Sequence, residues 1–331
     1  MSAGDACLSD RVLLHVGYHK TATTWFQSQL FARADLGFSA LSARGLVHRA
    51  LCIPHALARD GGEAIRRVVA EADDATARGR RFVISHERLS GYPASGGYDA
   101  GLLAERLKRH FPNAKVFCLF REQHAMILSA WRQQVVDGGG LSLGHFIDPP
   151  EPDIRRMPSF DPAMYRYTHL LERNRALFGA DNVLFRPYEE FRARPEAVLA
   201  ALAALLGSEP LQAAARGLAS DMTTANPSLT APVLHLQRFL NIHFARTQLS
   251  PDCLVDVGAK PIRALARAID RGIGRHLFRA ADARSRKRAL ARIADRFGAY
   301  FDEDNERLSA LVGMKLAEFG YRVGGERRTD A

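Results

Sequence analysis

Arg11-Val-Leu-Leu-His-Val-Gly17, then Tyr18-His-Lys-Thr-Ala-Thr-Thr24, then Trp25-Phe-Gln-Ser-Gln-Leu-Phe31, is the stretch that decides the fold. Its first seven residues are an apolar run of strand length closed by glycine, the pattern of a strand buried in a parallel sheet. Its last seven carry apolar residues at helical spacing. The turn between them holds a lysine and three threonines where the helix begins. Free backbone N–H groups at a helix start, beside a cation and hydroxyls, make a place for an anion. The spacing departs from the GxxxxGK[ST] phosphate loop, because two residues separate Gly17 from Lys20 and Ala22 stands where a second glycine would be expected. The competing reading is a capped helix with an exposed lysine. Glycine, lysine and hydroxyls coinciding at one strand-to-helix turn favour the anion site.

The same pattern repeats outward along the chain. Strands are expected at Arg81-Phe-Val-Ile-Ser-His86, Lys115-Val-Phe-Cys-Leu-Phe120 and Asn182-Val-Leu-Phe-Arg186, with helices over 61–79, 98–111, 122–136 and 195–206. This alternation predicts an α/β fold, a P-loop-like three-layer arrangement with a central parallel sheet flanked by helices. Gly138-Gly-Gly140 and Asp148-Pro-Pro-Glu-Pro-Asp153 read as loop material where a substrate-contacting excursion would sit. Beyond Asn226-Pro227-Ser228 the chain reads helical, with Pro251 and Pro261 as breaks. No repeat or low-complexity linker divides it, so one domain is expected over 1–331, with a nucleotide-binding core at 11–210 and a mainly helical extension at 211–331.

Composition narrows the classes. The chain has 331 residues, 47% hydrophobic and 25% charged, enough apolar material for a core without disulfide or metal staples. Cys7, Cys52, Cys118 and Cys253 are scattered and form no CxxC, which argues against a zinc ribbon or redox dithiol and for a reducing, cytoplasmic setting. No secretory leader and no run long and apolar enough to span a bilayer is read in the sequence. Forty-six basic against 36 acidic residues give a net charge of +10, which favours encounters with phosphorylated cofactors, acidic glycans, anionic membranes or nucleic acid.

Two segments together carry a family resemblance. Lys20-Thr-Ala-Thr-Thr-Trp25 after an apolar strand resembles the 5′-phosphosulfate loop of sulfotransferases that use PAPS (phosphoadenosine phosphosulfate), whose common form is Lys-[Ser/Thr]-Gly-Thr-Thr. The chain differs at Ala22, a substitution compatible with that loop if φ there is negative. Val116-Phe-Cys-Leu-Phe-Arg121, with Ser129 on the following helix, resembles the family's 3′-phosphate element, in which a guanidinium fork and a hydroxyl grip one phosphate. Arg186-Pro-Tyr-Glu-Glu-Phe191 and the stretch from Asp304 to Tyr321 are weaker matches, and an Arg-Lys-Gly motif is absent. The likeness is to bacterial members related to carbohydrate sulfotransferases.

The resemblance implies roles. Lys20 would neutralise the leaving phosphate. Lys20, Thr21, Ala22, Thr23, Thr24, Trp25, Arg121, Ser129 and Tyr188 would bind PAPS, or its desulfated product PAP, with no metal required. Trp25 is open to two readings, adenine stacking or core packing. Thr223-Thr-Ala-Asn-Pro-Ser228 would complete the pocket. Functional groups in open α/β sheets gather at strand carboxyl ends, so the general base is sought in Ser85-His86-Glu87, with Glu87 preferred to His86 and an ion pair of Glu87 with Arg88 or Arg121 as the bland alternative. His15 reads as a core histidine, and His19 as a neighbour of the site. The acceptor would be a carbohydrate or small molecule, with no nucleic-acid partner. The arginine-rich stretch 263–296 reads as a solvated helical surface or, alternatively, as a patch for an anionic acceptor or membrane. Oligomeric state is not legible. The rival functions are a P-loop-type kinase or NTPase with a degenerate loop, and a non-catalytic polyanion binder.

Overall fold

Alternation along the strands sorts their side chains into two cores. In the computed structural model, which describes residues 6–57, 62–149, 160–220 and 228–324, five strands form one sheet: β1 (Val12–His15), β2 (Phe38–Ala40), β3 (Arg81–Ser85), β4 (Lys115–Phe120) and β5 (Val183–Pro187). Every pairing is parallel, in the order β2-β3-β1-β4-β5. Val12, Leu14, Phe82, Ile84, Val116, Cys118, Val183 and Phe185 face one side, where Ile65, Val68, Leu103, Leu107, Ile127 and Leu171 cover them. Leu13, Val83, Phe117 and Leu119 face the other, under Phe26, Leu30, Phe38, Leu199, Leu202 and Leu211. The period of two along each strand thus builds a helix–sheet–helix sandwich. The fold is the expected α/β one, a parallel sheet with a helical layer on each face.

β2 has no counterpart in the sequence reading. It is a three-residue edge strand after Gly37, whose φ is +81°, and three residues are too few to show a period. The segment expected as an ordinary helix over 25–31 starts as α-helix at Thr23–Trp25 and continues as a π-helical turn, Phe26–Leu30. The expected helix over 195–206 is present as Pro195–Leu206, with proline in its first turn and left-handed Gly207 ending it.

Two further expectations change. Gly138-Gly-Gly140 is loop, as expected, but a tightly packed one. A Cβ at Gly138 would lie 2.7 Å from Thr247 Cγ2, one at Gly140 2.7 Å from Ile242, and one at Gly139 would collide with Gln134. Asn241 Nδ2 donates to the carbonyls of Val135 (2.7 Å) and Gly139 (3.0 Å), which fastens helix Ala231–Phe244 across the glycines. Pro261 does not break a helix. It lies in the first turn of Ala259–Ile269, where the missing N–H has no intrahelical acceptor to lose. Pro150–Asp153 and Asp221–Pro227, the latter including most of the segment expected to complete the pocket, lie outside the described residues.

The topology also fixes where a ligand would sit. From β1 the chain leaves toward β2 and β3, whereas from its neighbour β4 it leaves toward β5. Loops therefore part above the carboxyl ends of β1 and β4, the crevice in which open α/β sheets bind ligands. Lys20 follows β1 and Arg121 follows β4.

Candidate functional site

β1 enters the site through a braced turn. Gly17 leaves no room for a side chain, since a Cβ there would lie 2.9 Å from Thr23 Oγ1. The Ser90 hydroxyl donates to the Gly17 carbonyl (3.2 Å), and the Thr21 hydroxyl donates to the Tyr18 carbonyl (2.6 Å). Thr21 is thereby spent inside the turn. Lys20 and Ala22 have φ of +65° and +61°, whereas Thr21 between them does not, so the sign of φ alternates. Alternation of this kind turns successive N–H groups toward one concave point, an anion-binding nest. Ala22 is also the N-cap and supplies no side-chain cap, which leaves the first helical amides free. The condition attached to the alanine is not met, because φ is positive there. An alanine held left-handed costs about 1–2 kcal/mol, which glycine would not. Ala22→Gly is therefore expected to raise stability by about 1 kcal/mol after the extra freedom of the unfolded glycine is deducted, read as a higher midpoint in urea.

The remaining threonines divide. Thr24 is exposed, and buried Thr23 Oγ1 has no hydrogen-bond partner. Trp25 belongs to the core: it is 5% exposed, with ring centroids 5.1 Å from those of Phe26 and Phe191. His15 is likewise a core residue, bonded through Nδ1 to Ser85 Oγ (2.7 Å) and stacked on Phe117. Burial lowers its pKa to about 3.

β4 delivers the second cation. Arg121 Nη1 reaches the Lys20 carbonyl oxygen at 3.5 Å, and its guanidinium lies 5.3 Å from the centroid of the Tyr188 ring. The Arg121 carbonyl accepts from the Tyr167 hydroxyl (2.6 Å), while its buried Nε has no partner. Glu122 caps the following helix, accepting from the amides of His124 (2.9 Å) and Ala125 (2.8 Å), so that helix start is already occupied by a carboxylate. Ser129 sits half-buried two turns along it. Glu189 accepts from the Glu122 amide and from the Tyr321 hydroxyl (3.0 Å), which ties the chain's closing segment to the Arg121 corner. Arg186 is engaged by Glu190.

β3 ends in a different environment. The Glu87 carboxylate takes two bonds from Arg44 Nη2 (2.9 and 2.8 Å), and Arg88 pairs with Asp99 (2.7 Å). The alternative ion pair of Glu87 with Arg88 or Arg121 does not form; Glu87 is ion-paired instead with Arg44, from the segment after β2. Burial pushes the Glu87 pKa up, but its own amide, His86 and Arg44 outweigh this and leave it below the ordinary value. His86 is 4% exposed, its Nδ1 accepts from the Arg88 amide (3.1 Å), and the His48 ring stands edge-on at 4.8 Å. Burial lowers the pKa of both His86 and His19 to about 4.

Charges from several segments act on Lys20. Burial lowers its pKa; Asp137 and Glu87 oppose the shift, and Arg121 and Arg267 add to it. Arg267, on helix Ala259–Ile269, was not singled out from sequence, nor were Arg44, His48 and Tyr167. Each arrives from a distant segment through tertiary packing, and none carries a local motif. A cavity of about 370 Å³ opens beside the turn, lined among others by Tyr18, Ser90, Gly97, Tyr98, Asp161 and Arg166. Among the described residues no group of three or more His, Cys, Asp or Glu side chains is placed to hold a metal ion.

Neither a family model nor a curated protein sequence matches the chain. Among solved structures, the crystal structure of a sulfotransferase from Alicyclobacillus acidocaldarius aligns with 93% of this chain and 98% of that one, at 17% sequence identity and a TM-score of 0.49. No helix among the described residues is long and apolar enough to cross a membrane.

Proposed function

We propose that the chain is a sulfotransferase that moves a sulfuryl group from PAPS to a hydroxyl or amine of a carbohydrate or small molecule. The observation that supports this most is the meeting of the Lys20 turn with Arg121, at 3.5 Å, over the β1/β4 crevice. A ligand with phosphates at two ends needs donors of this kind on two adjacent strand ends. Two buried polar atoms there lack partners, Arg121 Nε and Thr23 Oγ1, which fits an oxyanion-bearing ligand. In this reading the amides of the turn, with Thr23 and Thr24, hold the 5′-phosphate. Thr21 contributes its amide, its hydroxyl being committed to Tyr18. Arg121 and Ser129 take the 3′-phosphate, and Tyr188 lies beside the base.

The bound donor brings a sulfuryl group activated by its anhydride link to the 5′-phosphate. Lys20 places positive charge where the bridging oxygen becomes negative as its bond to sulfur breaks. Glu87 accepts the proton that the acceptor loses as its own bond to sulfur forms. Arg44 keeps Glu87 ionised and aimed. His86 is the weaker base, with one ring nitrogen already committed and little exposure.

This assigns a direction to a pH profile. Glu87 works deprotonated, so kcat/KM falls as pH drops through its lowered pKa. Arg44→Ala removes a neighbouring cation and lets burial dominate. The acid limb is then expected to move to higher pH, and an unmoved limb excludes Glu87 as the base. The reading as a whole is tested by thermal denaturation with PAP, with ATP–magnesium, and with heparin or DNA, each added alone. PAP without metal is expected to raise Tm, since a ligand in large excess over its Kd stabilises by a few kcal/mol. A shift with ATP–magnesium alone would make the chain a phosphoryl-transfer protein, and one with heparin or DNA alone a polyanion binder.

A further inference from the structure

We propose that Arg106 is a positioning residue for Glu87: it fixes the helix that carries Arg44 and so holds the Arg44–Glu87 pair in place. The inference rests on the reading of Glu87 as the proton acceptor. Arg106 lies on helix Ala100–His110 and is 4% exposed. A buried guanidinium is costly unless its N–H groups are met. Here Nη1 donates to the Leu51 carbonyl (2.7 Å), and Nη2 to those of Pro54 (2.6 Å) and His55 (2.8 Å). An apolar side chain of the same volume would fill this place at lower cost. What the guanidinium adds is direction, because bonds from one planar fork specify where a stretch of main chain must lie.

The stretch it specifies leads back to Arg44. The chain is helical from Arg44 to Cys52, first as an α-turn, Arg44–Val47, then as a π-helical turn, His48–Cys52. The last carbonyls of a helix have no partner within it, and an arginine side chain can meet them. So short a helix does not stand unaided. Leu46, Val47, Ala50 and Leu51 bury one face of it, but apolar contact is non-directional and fixes rotation and sliding weakly. Its entry is tied at the surface, where the Ser42 amide (3.0 Å) and hydroxyl (2.8 Å) donate to Glu71. Its exit is tied in the interior, by Arg106.

Helix Ala100–His110 also grips the other member of the pair. Asp99, its N-cap, accepts from Arg88 Nη2 (2.7 Å) and from the Tyr92 amide (2.9 Å), and Arg88 directly follows Glu87. Asp99 and Arg106 are two helical turns apart and share one face. The side chain of Arg44 is 57% exposed, and an ion pair so placed is ordinarily loose. Hanging both partners from one helix face makes it a fixed contact. The same grip sets His48, whose ring stands edge-on to His86.

The titration of Glu87 itself tests this without an acceptor. Its carboxyl carbon is followed by NMR in protein labelled with carbon-13 at glutamate, the signal being assigned through Glu87→Gln. Burial raises its pKa, whereas its own amide, His86, Arg44 and His19 lower it. Arg44→Ala is therefore expected to raise the midpoint. Arg106→Met is expected to raise it by most of the same amount, and the double variant no further than Arg44→Ala alone. Arg106→Lys keeps the charge but not the fork, and is expected to fall between parent and Arg106→Met; it carries the test if the methionine variant does not fold. Leu202→Ala, which loosens the opposite core, is expected to leave the midpoint in place. An unmoved midpoint in Arg44→Ala or in the Arg106 variants overturns the proposal, as does full additivity in the double variant, the sign of a charge acting at a distance. A midpoint that moves as expected beside an unmoved acid limb of kcat/KM would keep Arg106 as the residue that places the pair and remove Glu87 as the base.

Discussion

Lys20→Ala is expected to lower turnover with PAPS by roughly 10²–10³, the loss seen when one preorganised donor is removed from a developing negative charge. The side chain does not build the turn. Its φ of +65° is a backbone property, and the bracing bonds come from Ser90 and Thr21. The variant should therefore keep its fold, and alanine tolerates that backbone no worse than lysine. Arg121→Ala addresses the other end. It removes the contact with the Lys20 carbonyl, the stack on Tyr188 and a buried donor without a partner. Both variants are expected to lose the stabilisation that PAP gives the parent protein. Measured side by side, a PAP-induced Tm shift that survives both changes would place the nucleotide elsewhere, whatever the activity.

Phe26→Ala is expected to cost about 3–5 kcal/mol in folding stability, the range for deleting a buried aromatic ring. Phe26 is fully buried, with ring centroids 4.8–5.7 Å from those of His15, Trp25, Phe31, Phe117 and Phe191. A cavity there removes contacts from both the sheet and the helix above it. The effect reaches the site because the Phe26 amide donates to the Ala22 carbonyl (3.1 Å), the first bond of the helix that the turn leads into. Weaker PAP binding should accompany the lost stability. Urea denaturation reads the first effect and PAP titration of the surviving native protein the second. A loss under about 1 kcal/mol would mean that the neighbouring rings collapse into the space.

How far the residues announced this arrangement depends on the range of the interaction concerned. Four of the five strands are legible because each is a run of apolar residues long enough to be read and closed by a turn. β2 is not, since Phe38–Ala40 is a strand only by virtue of lying against β3. The turn after β1 is legible as chemistry but not as geometry. The string Lys-Thr-Ala-Thr-Thr says nothing of the sign of φ at Ala22, which the surrounding bonds impose. Glu87 could be picked from its place at a strand end, yet its partner could not. Arg44 lies in a segment whose position is set by β2, the strand that was missed. Arg267 is subtler still, because an arginine among many in a cationic helix has no local feature to distinguish it. The triple glycine misled for a related reason: glycine marks both mobile loops and the closest backbone approaches, and only the neighbour tells them apart.

That neighbour gives Gly138–Gly140 a consequence for how this protein can change over time. The helical part meets the end of helix Gln123–Val136 at a seam one hydrogen atom thick, where Thr247, Asn241 and Ile242 rest directly on main chain. Substitutions on the outward arginine face alter nothing at this seam, so the surface can be recoloured freely for new partners. A single methyl group at the seam would instead push helix Ala231–Phe244 off the glycines. Variation should therefore be generous on one side of helix Ala231–Phe244 and nearly forbidden on the other, with three residues lacking side chains acting as the hinge pin that keeps an evolving exterior in register with a fixed interior.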